Sequence, residues 1–241
     1  MRSSLTDEIK KQIKEKWKEA FKLSVEFNSD RAIHEDQSLK YLHTKKNVAV
    51  YTSHDQHRFD GLYVIRGDIL VESCTAEEYR KPFLSLDLEI KRVMDPLTKR
   101  NETIESWTDE DGTFLIQYFL IETGPFVSDR DFIYVLKVVE TSPSESYVVL
   151  TSIDKIYTPP EHFEIDKSAV RANNIFVSQR YEQLENGDLK VSYSTLSNPC
   201  GWIPNSLTNM FLHAQPMKML DIARLAGKNV KGHEPHVKRH Q

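Results

Sequence analysis

Residues 114–153 read FLIQYFLIETGPFVSDRDFIYVLKVVETSPSESYVVLTSI, and the fold class follows from this stretch. It contains three apolar runs, 114–121, 132–139 and 147–153, which are separated by polar connections that contain Gly or Pro. Apolar runs of this length, bounded by turn-forming residues, predict β-strands. Consecutive strands with such short connections predict an antiparallel meander.

The strand pattern continues on both sides of this stretch. Downstream, the apolar runs 175–181 and 189–196 flank Asn186 and Gly187, a pair that is typical of a tight β-hairpin. Upstream, residues 48–51 and 62–65 are short runs rich in β-forming residues. The sequence therefore predicts one antiparallel sheet with a helical insertion.

Three segments predict helices. Apolar residues recur at about every fourth position over residues 5–25, which favours an amphipathic helix packed on the body of the protein over one that lies on a membrane. Thr75 and Glu78 form the pattern of a capping box at the start of a second helix. Pro204 suits the first turn of a long closing helix, for which Gly227 is a natural stop.

Composition limits the class of protein. The 241 residues carry 32 Lys and Arg against 36 Asp and Glu, 39% are hydrophobic, and the mean hydropathy is −0.52. These values are typical of a globular domain, and no apolar stretch in the sequence is long enough to span a membrane. With a pI near 6.2, nucleic acid is not an expected partner. Two cysteines without metal-site spacing and a charged N-terminus predict a reducing, cytoplasmic location.

Signatures of catalysis and of cofactor binding are absent from the sequence. It contains no GxSxG, GxGxxG or HExxH motif and no Gly-rich phosphate loop. The histidine pair at 54 and 57 and the histidines near the C-terminus lack a full ligand set, so solvated loops are the expected environment. We expect no catalytic residue, no metal and no cofactor.

Four short motifs occur in an order that resembles one known family. They are Arg92-Val93-Met94-Asp95, Arg130-Asp131-Phe132, Val170-Arg171-Ala172 and Gly201-x-Ile203-Pro204-x-x-Leu207-x-Asn209. From about residue 61 to residue 226 the chain is similar to the StAR-related lipid transfer (START) domain, although Met94 stands where tryptophan is common in the family. The resemblance implies an α+β helix-grip fold, in which a curved antiparallel sheet wraps around a long C-terminal helix and encloses a lipid tunnel.

The resemblance also implies an organisation and a function. Residues 1–227 are expected to form a single START-like domain that includes the N-terminal helix, and residues 228–241 a flexible basic tail. We expect a monomeric, non-enzymatic protein that encloses one lipid and exchanges it at membrane surfaces. Hydrating the roughly 30 methylenes of a diacyl lipid costs about 20 kcal/mol or more, so transport through water requires near-complete enclosure.

The apolar faces of the strands and of the closing helix supply the expected lipid contacts. Residues at alternate positions of a strand share one face, and methionine adapts to irregular acyl chains. The candidates are Phe114, Ile116, Tyr118 and Leu120 on one strand, Phe132, Tyr134 and Leu136 on the next, and Leu207, Met210, Phe211, Met217 and Leu220 on the helix.

The class of lipid is inferred from the resemblance. Members that transfer phosphatidylcholine hold its choline in an aromatic cage, beside a basic residue and a carboxylate. In sterol-binding members an acid and an arginine lie in the tunnel, at positions that Gln117 and Leu136 occupy here, so a phospholipid is favoured over a sterol. The positions that match the phosphatidylcholine site are Tyr118, Phe132 and Ile175 for the cage, and Lys91 and Asp95 for the charged pair.

Entry of the lipid requires contact with a membrane. Trp202 precedes the closing helix and is either a core anchor or, as we expect, a membrane contact at the level of the headgroups. The closing helix, bent at Pro216, is expected to move together with the connection at Gly124. Two alternative functions remain open: an enzyme on the same scaffold, cyclase-like or hydrolase-like, and a sensor of ligand occupancy that acts through a protein partner.

Overall fold

The computed structural model describes residues 5–53, 58–124, 126–203 and 214–232. Its helices are α1 (Asp7–Asn28), α2 (Arg31–His34), α3 (Ala76–Leu84), α4 (Leu88–Met94) and α5 (Lys218–Leu225), and a 3-10 turn (Gln215–Met217) precedes α5. Its strands are β1 (Leu39–Lys45), β2 (Val48–Ser53), β3 (Ile65–Val71), β4 (Thr98–Asp109), β5 (Gly112–Ile121), β6 (Arg130–Ser142), β7 (Glu145–Ser152), β8 (Val170–Arg171), β9 (Asn173–Gln183), β10 (Leu189–Asn198) and β11 (Val230–Lys231).

The described strands form one sheet in the order β1-β2-β3-β10-β9-β7-β6-β5-β4. Neighbours in this order pair antiparallel, β11 pairs antiparallel with β3, and β8 pairs parallel with β6. The meander β5 to β7 and the hairpin β9–β10 around Asn186 and Gly187 are both as predicted from the sequence, and β4 adds a further antiparallel strand beside β5.

Helix α1 covers one face of the sheet. Thr6 caps its first turn by accepting a hydrogen bond from the Ile9 amide (3.3 Å). Trp17 is buried against Phe114 of β5, and its indole N–H donates to the Val149 carbonyl (3.2 Å). The predicted packing of this helix on the body of the protein is thus confirmed, and this side of the sheet is filled by close-packed side chains.

A buried arginine fixes the C-terminal end of α1 to the sheet. The Arg66 side chain has no exposed surface, and its guanidinium makes two hydrogen bonds with Asp68 (2.8 and 2.9 Å). It also donates to the carbonyl oxygen of Phe27 in the last turn of α1 (3.1 Å) and to that of Ser29, just beyond the helix (2.7 Å). Every polar atom of this charge therefore has a partner, which is the condition for burying it.

The opposite face of the sheet carries α3, α4 and α5. The capping box predicted at α3 is present: the Glu78 carboxylate accepts from the Thr75 amide (2.8 Å), and Thr75 Oγ1 accepts from the Glu78 amide (3.2 Å). The hydrogen bonds that its carboxylate accepts from the Thr75 amide, from Lys228 and from the Thr75 hydroxyl lower the pKa of Glu78 to about 2. Tyr79 of α3 donates to the Met219 carbonyl (2.9 Å) and joins α3 to α5.

The C-terminal segment departs from the sequence prediction. The described part of the predicted closing helix comprises the 3-10 turn at Pro216 and the eight-residue α5, while 204–213 lie outside the described residues. Gly227 has φ +68° and ends α5 as expected. Beyond it, Val230 and Lys231 pair with Val71 and Leu70 of β3, so the start of the predicted flexible tail is a strand of the sheet.

One glycine allows α5 to approach the sheet closely. A Cβ on Gly67 of β3 would lie 2.6 Å from Pro216 Cβ and 3.2 Å from Met219 Sδ. Any other residue at this position would therefore push the 3-10 turn and α5 away from β3. Among the described residues, no helix has both the length and the apolar character that a membrane span requires.

Candidate functional site

A cavity of about 580 Å³ lies between the sheet and the helices α3, α4 and α5. This volume is within the range of small-molecule sites, about 300–1,000 Å³. Its wall contains residues of β4, β5, β6, β9 and β10 on one side and of α4 and α5 on the other. The cavity lies on the face of the sheet that α1 leaves uncovered. We call the face packed against α1 the solid face and the face that borders the cavity the hollow face.

Strand β6 contributes the residues that the sequence predicts. Phe132, Tyr134 and Leu136 line the cavity at alternate positions. The Tyr134 hydroxyl donates to Gln117 Oε1 (3.0 Å), and burial raises the pKa of this phenol. On the β6 side the cavity is therefore bounded by the rings of Phe132 and Tyr134 and by Leu136. The Tyr134 hydroxyl forms its hydrogen bond with Gln117, another residue of the wall.

Strand β5 lines the cavity with a different set of residues from the one that the sequence predicts. Gln117, Phe119 and Ile121 line the cavity. The predicted contacts of β5 are wrong because they lie on the solid face, packed with α1 and its neighbours. They are Phe114, Ile116, Tyr118 and Leu120, all 4% exposed or less.

The predicted choline cage is not assembled at the cavity. Tyr118 lies on the solid face, where its hydroxyl accepts from the Asp166 amide (3.0 Å) and the Arg100 guanidinium lies 4.8 Å from its ring. Ile175 also packs against the solid face. Of the three expected cage residues, Phe132 alone lines the cavity.

Helix α5 closes the cavity with residues that the sequence analysis missed. Met219 and Ile222 line it, whereas the candidates Met217 and Leu220 are partly buried in the apolar cluster around α5 and are absent from the described wall. Leu207, Met210 and Phe211 lie outside the described residues. The spacing from Met219 to Ile222 is one helical turn, a signal that a helical wheel starting at Lys218 would have shown.

The predicted charged pair is at the cavity, with an additional partner. Helix α4 ends at Met94, with Asp95 as its C-cap and Pro96 following it, and this places Lys91 and Asp95 about one turn apart on the wall. Asp95 forms a salt bridge with Lys218 of α5 (2.6 Å). Lys91 instead donates to the Phe83 carbonyl at the end of α3. Burial, and secondarily the charge of Lys218, lowers the pKa of Lys91 to about 8.

Three buried polar atoms at the cavity wall have no hydrogen-bond partner among the described residues. They are Asn101 Oδ1, Thr123 Oγ1 and Gln179 Nε2, on side chains of residues that are 6%, 4% and 1% exposed. The other end of the Gln179 amide accepts from the Tyr181 hydroxyl (2.7 Å), which fixes the direction of the free N–H group. Buried polar groups are nearly always paired, so atoms of this kind point to a ligand or to water in the cavity.

One arginine at the rim of the cavity joins two loops. Arg130 begins β6 and donates to the Ser128 carbonyl on its own loop. It also donates to the carbonyls of Pro199 (2.8 Å), Cys200 (2.9 Å) and Trp202 (3.3 Å) on the loop that follows β10. Each loop exposes one aromatic side chain: Phe126 is fully exposed, and Trp202 is 74% exposed.

Metal chemistry has no support in this part of the chain. Across the described ranges, no three side chains of His, Cys, Asp or Glu converge as potential ligands. The predicted histidine pair at 54 and 57 lies outside those ranges.

Comparison with known proteins identifies the family. The START domain family model matches residues 95–231, more than half of the chain. The chain belongs to the START domain family. No curated protein matches this START domain as a relative.

Several solved structures have folds similar to that of this START domain. Human StAR-related lipid transfer protein 5 is 17% identical, with a TM-score of 0.71 over 90% of this chain and 97% of that one. Human STARD10 is 13% identical, with a TM-score of 0.68 over 87% and 78% of the two chains. A STAR-related lipid transfer protein fragment from Xanthomonas axonopodis is 16% identical, with a TM-score of 0.59 over 79% and 99%. These likenesses confirm the predicted helix-grip fold.

Proposed function

We propose that this START domain encloses one lipid in the cavity and carries it between membranes as a cytoplasmic, non-enzymatic transfer protein. The observation that carries the proposal is the hollow face of the sheet, where apolar side chains and three unpartnered buried polar atoms surround about 580 Å³. An apolar hollow with a few convergent polar groups is the usual form of a small-molecule site. The lipid-transfer names of its structural neighbours support the same function.

The rim of the cavity supports exchange at a membrane surface. Arg130 holds the loops of Phe126 and Trp202 together, and Arg130, Pro199 and Ile203 also line the cavity. Two exposed aromatic rings thus lie on loops whose neighbouring residues line the cavity, and we expect them to insert at the headgroup level. A lipid could then leave the bilayer without crossing bulk water. A phospholipid remains the proposed cargo.

An enzyme on the same scaffold is the second candidate. Lys91, Asp95 and Lys218 converge on the cavity wall, whereas the sequence suggested almost wholly apolar strand faces. However, Asp95 is paired with Lys218, and no nucleophile with an adjacent general base is found among the described cavity residues. Lipid that is recovered from the protein chemically unchanged after prolonged incubation would favour the carrier, and steady conversion would favour the enzyme.

The decisive experiment fills the cavity. Val177 of β9 lines the wall, and Val177→Trp would place an indole in the space of the lipid. We expect this variant to lose vesicle-to-vesicle transfer of fluorescent phosphatidylcholine, and to lose the lipid that co-purifies from cells in native mass spectrometry. Thr113→Trp, an exposed change on β5, is the matched control and should keep both.

Transfer by the Val177→Trp variant at the rate of the control would contradict the carrier function. If the protein instead acts as an occupancy sensor, it would bind lipid as expected and yet transfer none between vesicles. The two readouts, bound lipid and transferred lipid, therefore separate the carrier from the sensor.

A further inference from the structure

The charged side chains of the cavity are unbalanced. Lys91, Arg130 and Lys218 are cationic, and Asp95 is the one acid among the described residues of the wall. Arg130 is held by main-chain carbonyls alone, and no carboxylate within the described residues pairs with either Arg130 or Lys91. Two positive charges thus remain uncompensated beside a hollow whose other described lining residues carry no charge.

Asp95, the single carboxylate among the described residues of the wall, is already paired with Lys218. Asp95 Oδ2 lies 2.6 Å from Lys218 Nζ, which is a short, charge-assisted contact. A choline or ethanolamine cation in this cavity would have to displace Lys218 to reach it. The described residues of the wall therefore offer no free anion to the cationic part of a zwitterionic headgroup.

The amine of Lys91 has no carboxylate partner among the described residues, and two polar side chains of the cavity wall also have unpartnered atoms there. Lys91 Nζ donates to the Phe83 carbonyl, and Asn101 Nδ2 donates to the Ser85 carbonyl (3.3 Å), so both groups lie at the C-terminal end of α3. Their acceptors are two residues apart, both side chains line the cavity, and Asn101 Oδ1 has no hydrogen-bond partner among the described residues. Thr123, whose hydroxyl has no partner among the described residues, lines the same cavity, and the amide of its neighbour Glu122 donates to the Leu97 carbonyl (2.9 Å), two residues after Asp95.

We propose that the cavity selects a lipid whose polar end carries net negative charge, a phosphate monoester or a carboxylate, with Lys91 as its counter-ion and Asn101 and Thr123 as hydrogen-bonding partners. This inference rests on the proposed lipid-carrier function and narrows its cargo. An anion at this position neutralises the charge of Lys91 and gives its buried amine a partner of opposite charge. The hydroxyl of Thr123 can donate to the same anion, and Asn101 Oδ1 can accept from a hydroxyl on the lipid.

The test is a competition between headgroups on one set of acyl chains. The protein is incubated with vesicles that contain equal amounts of phosphatidylcholine, phosphatidic acid and diacylglycerol, and the bound lipid is identified by native mass spectrometry. We expect phosphatidic acid to exceed each competitor by about tenfold, the ratio that one charge-assisted hydrogen bond supports. A parallel set with oleate in place of phosphatidic acid tells whether a carboxylate serves as well as a phosphate.

Substitutions of Lys91 and Lys218 test whether the preference depends on these two charges. Lys91→Met should reduce the excess of phosphatidic acid to near unity while diacylglycerol still binds, and Lys91→Arg should retain the excess. Lys218→Met removes a positive charge and frees Asp95, so it should shift the bound fraction from phosphatidic acid towards phosphatidylcholine. Lys40→Met, an exposed change of the same charge on β1, is the control and should behave as the unmodified protein.

The outcomes separate the inference from the function on which it rests. Equal occupancy by the three lipids, or an excess of phosphatidic acid that survives Lys91→Met, overturns the selection of an anion and leaves the carrier function standing. No bound lipid of any kind overturns both. If Lys91→Met does not fold, the competition with the unmodified protein and Lys91→Arg still decides.

Discussion

The ammonium group of Lys91 donates to the Phe83 carbonyl. Its burial, and secondarily the charge of Lys218, lowers its pKa to about 8. In the unfolded chain a lysine titrates at about 10.4. Below pH 8 the charge is present in both states, and its burial destabilises the fold. Between about pH 8 and 10.4 the folded state loses this proton first, so the penalty disappears as the pH rises.

This titration gives a prediction for the lipid-free protein. The free energy of unfolding of the unmodified protein, relative to Lys91→Met, should rise by about 1–2 kcal/mol between pH 7 and pH 9.5. Urea denaturation at the two pH values measures the difference, and Lys40→Met should show none of it. A difference that stays constant with pH would mean that Lys91 is as well solvated in the fold as in the unfolded chain.

Among the elements, β5 and β6 explain how far the sequence could predict the site. The sequence predicted both strands correctly, and it predicted the lining residues of β6. It selected the wrong face of β5 because that strand is buried on both faces, which removes the alternation that normally distinguishes them. Residues that pair across antiparallel strands share a face, and Gln117 pairs with Tyr134, so even positions of β5 cannot share a face with even positions of β6.

The remaining parts of the site depend on tertiary contacts. The salt bridge between Asp95 and Lys218 joins residues 123 positions apart, so no local pattern indicates it. The rim depends in the same way on Arg130, which reaches across to the loop of Trp202. The sequence suggested Trp202 and the motif at Arg130 separately, and it gave no sign that one holds the other.

The two rim loops carry a prediction about membrane binding. Trp202→Ala combined with Phe126→Ala should weaken binding to vesicles by about tenfold or more, because each exposed ring contributes on the order of 1 kcal/mol when its surface leaves water. Sedimentation with vesicles measures this. Tyr41→Ala, a partly exposed aromatic on the distant edge strand β1, is the control. Unchanged binding of the double variant would remove these loops from the membrane contact.

At the scale of the whole molecule, the sheet separates a solid layer from a hollow one. Phe114 is 1% exposed and packs between Trp17 and Trp107 on the solid face, whereas Phe132 stands at the cavity wall. The solid layer should therefore provide most of the stability. The packing of the side chains around the cavity can then change with the ligand while the fold is kept.

A pair of truncations tests this division. Phe114→Ala should lower the free energy of unfolding by about 3–5 kcal/mol. Phe132→Ala should cost clearly less, about 1–2 kcal/mol, because its ring already lacks packing partners on the cavity side. Urea denaturation of the two lipid-free variants gives both values. Equal losses would show that the cavity wall is packed as tightly as the opposite face.

Strand β3 holds α5 at both ends: upstream, Pro216 seats against Gly67, and downstream, Val230 and Lys231 extend the sheet beside it. Two attachments to one strand restrain α5, so we predict that α5 itself stays in place when cargo enters, in contrast to the expectation that the closing helix moves. With α5 in place, we expect an incoming acyl chain to enter along the far margin of the cavity, between α4 and the β5–β6 connection. Spin labels on that margin, rather than on α5, would record the passage of cargo.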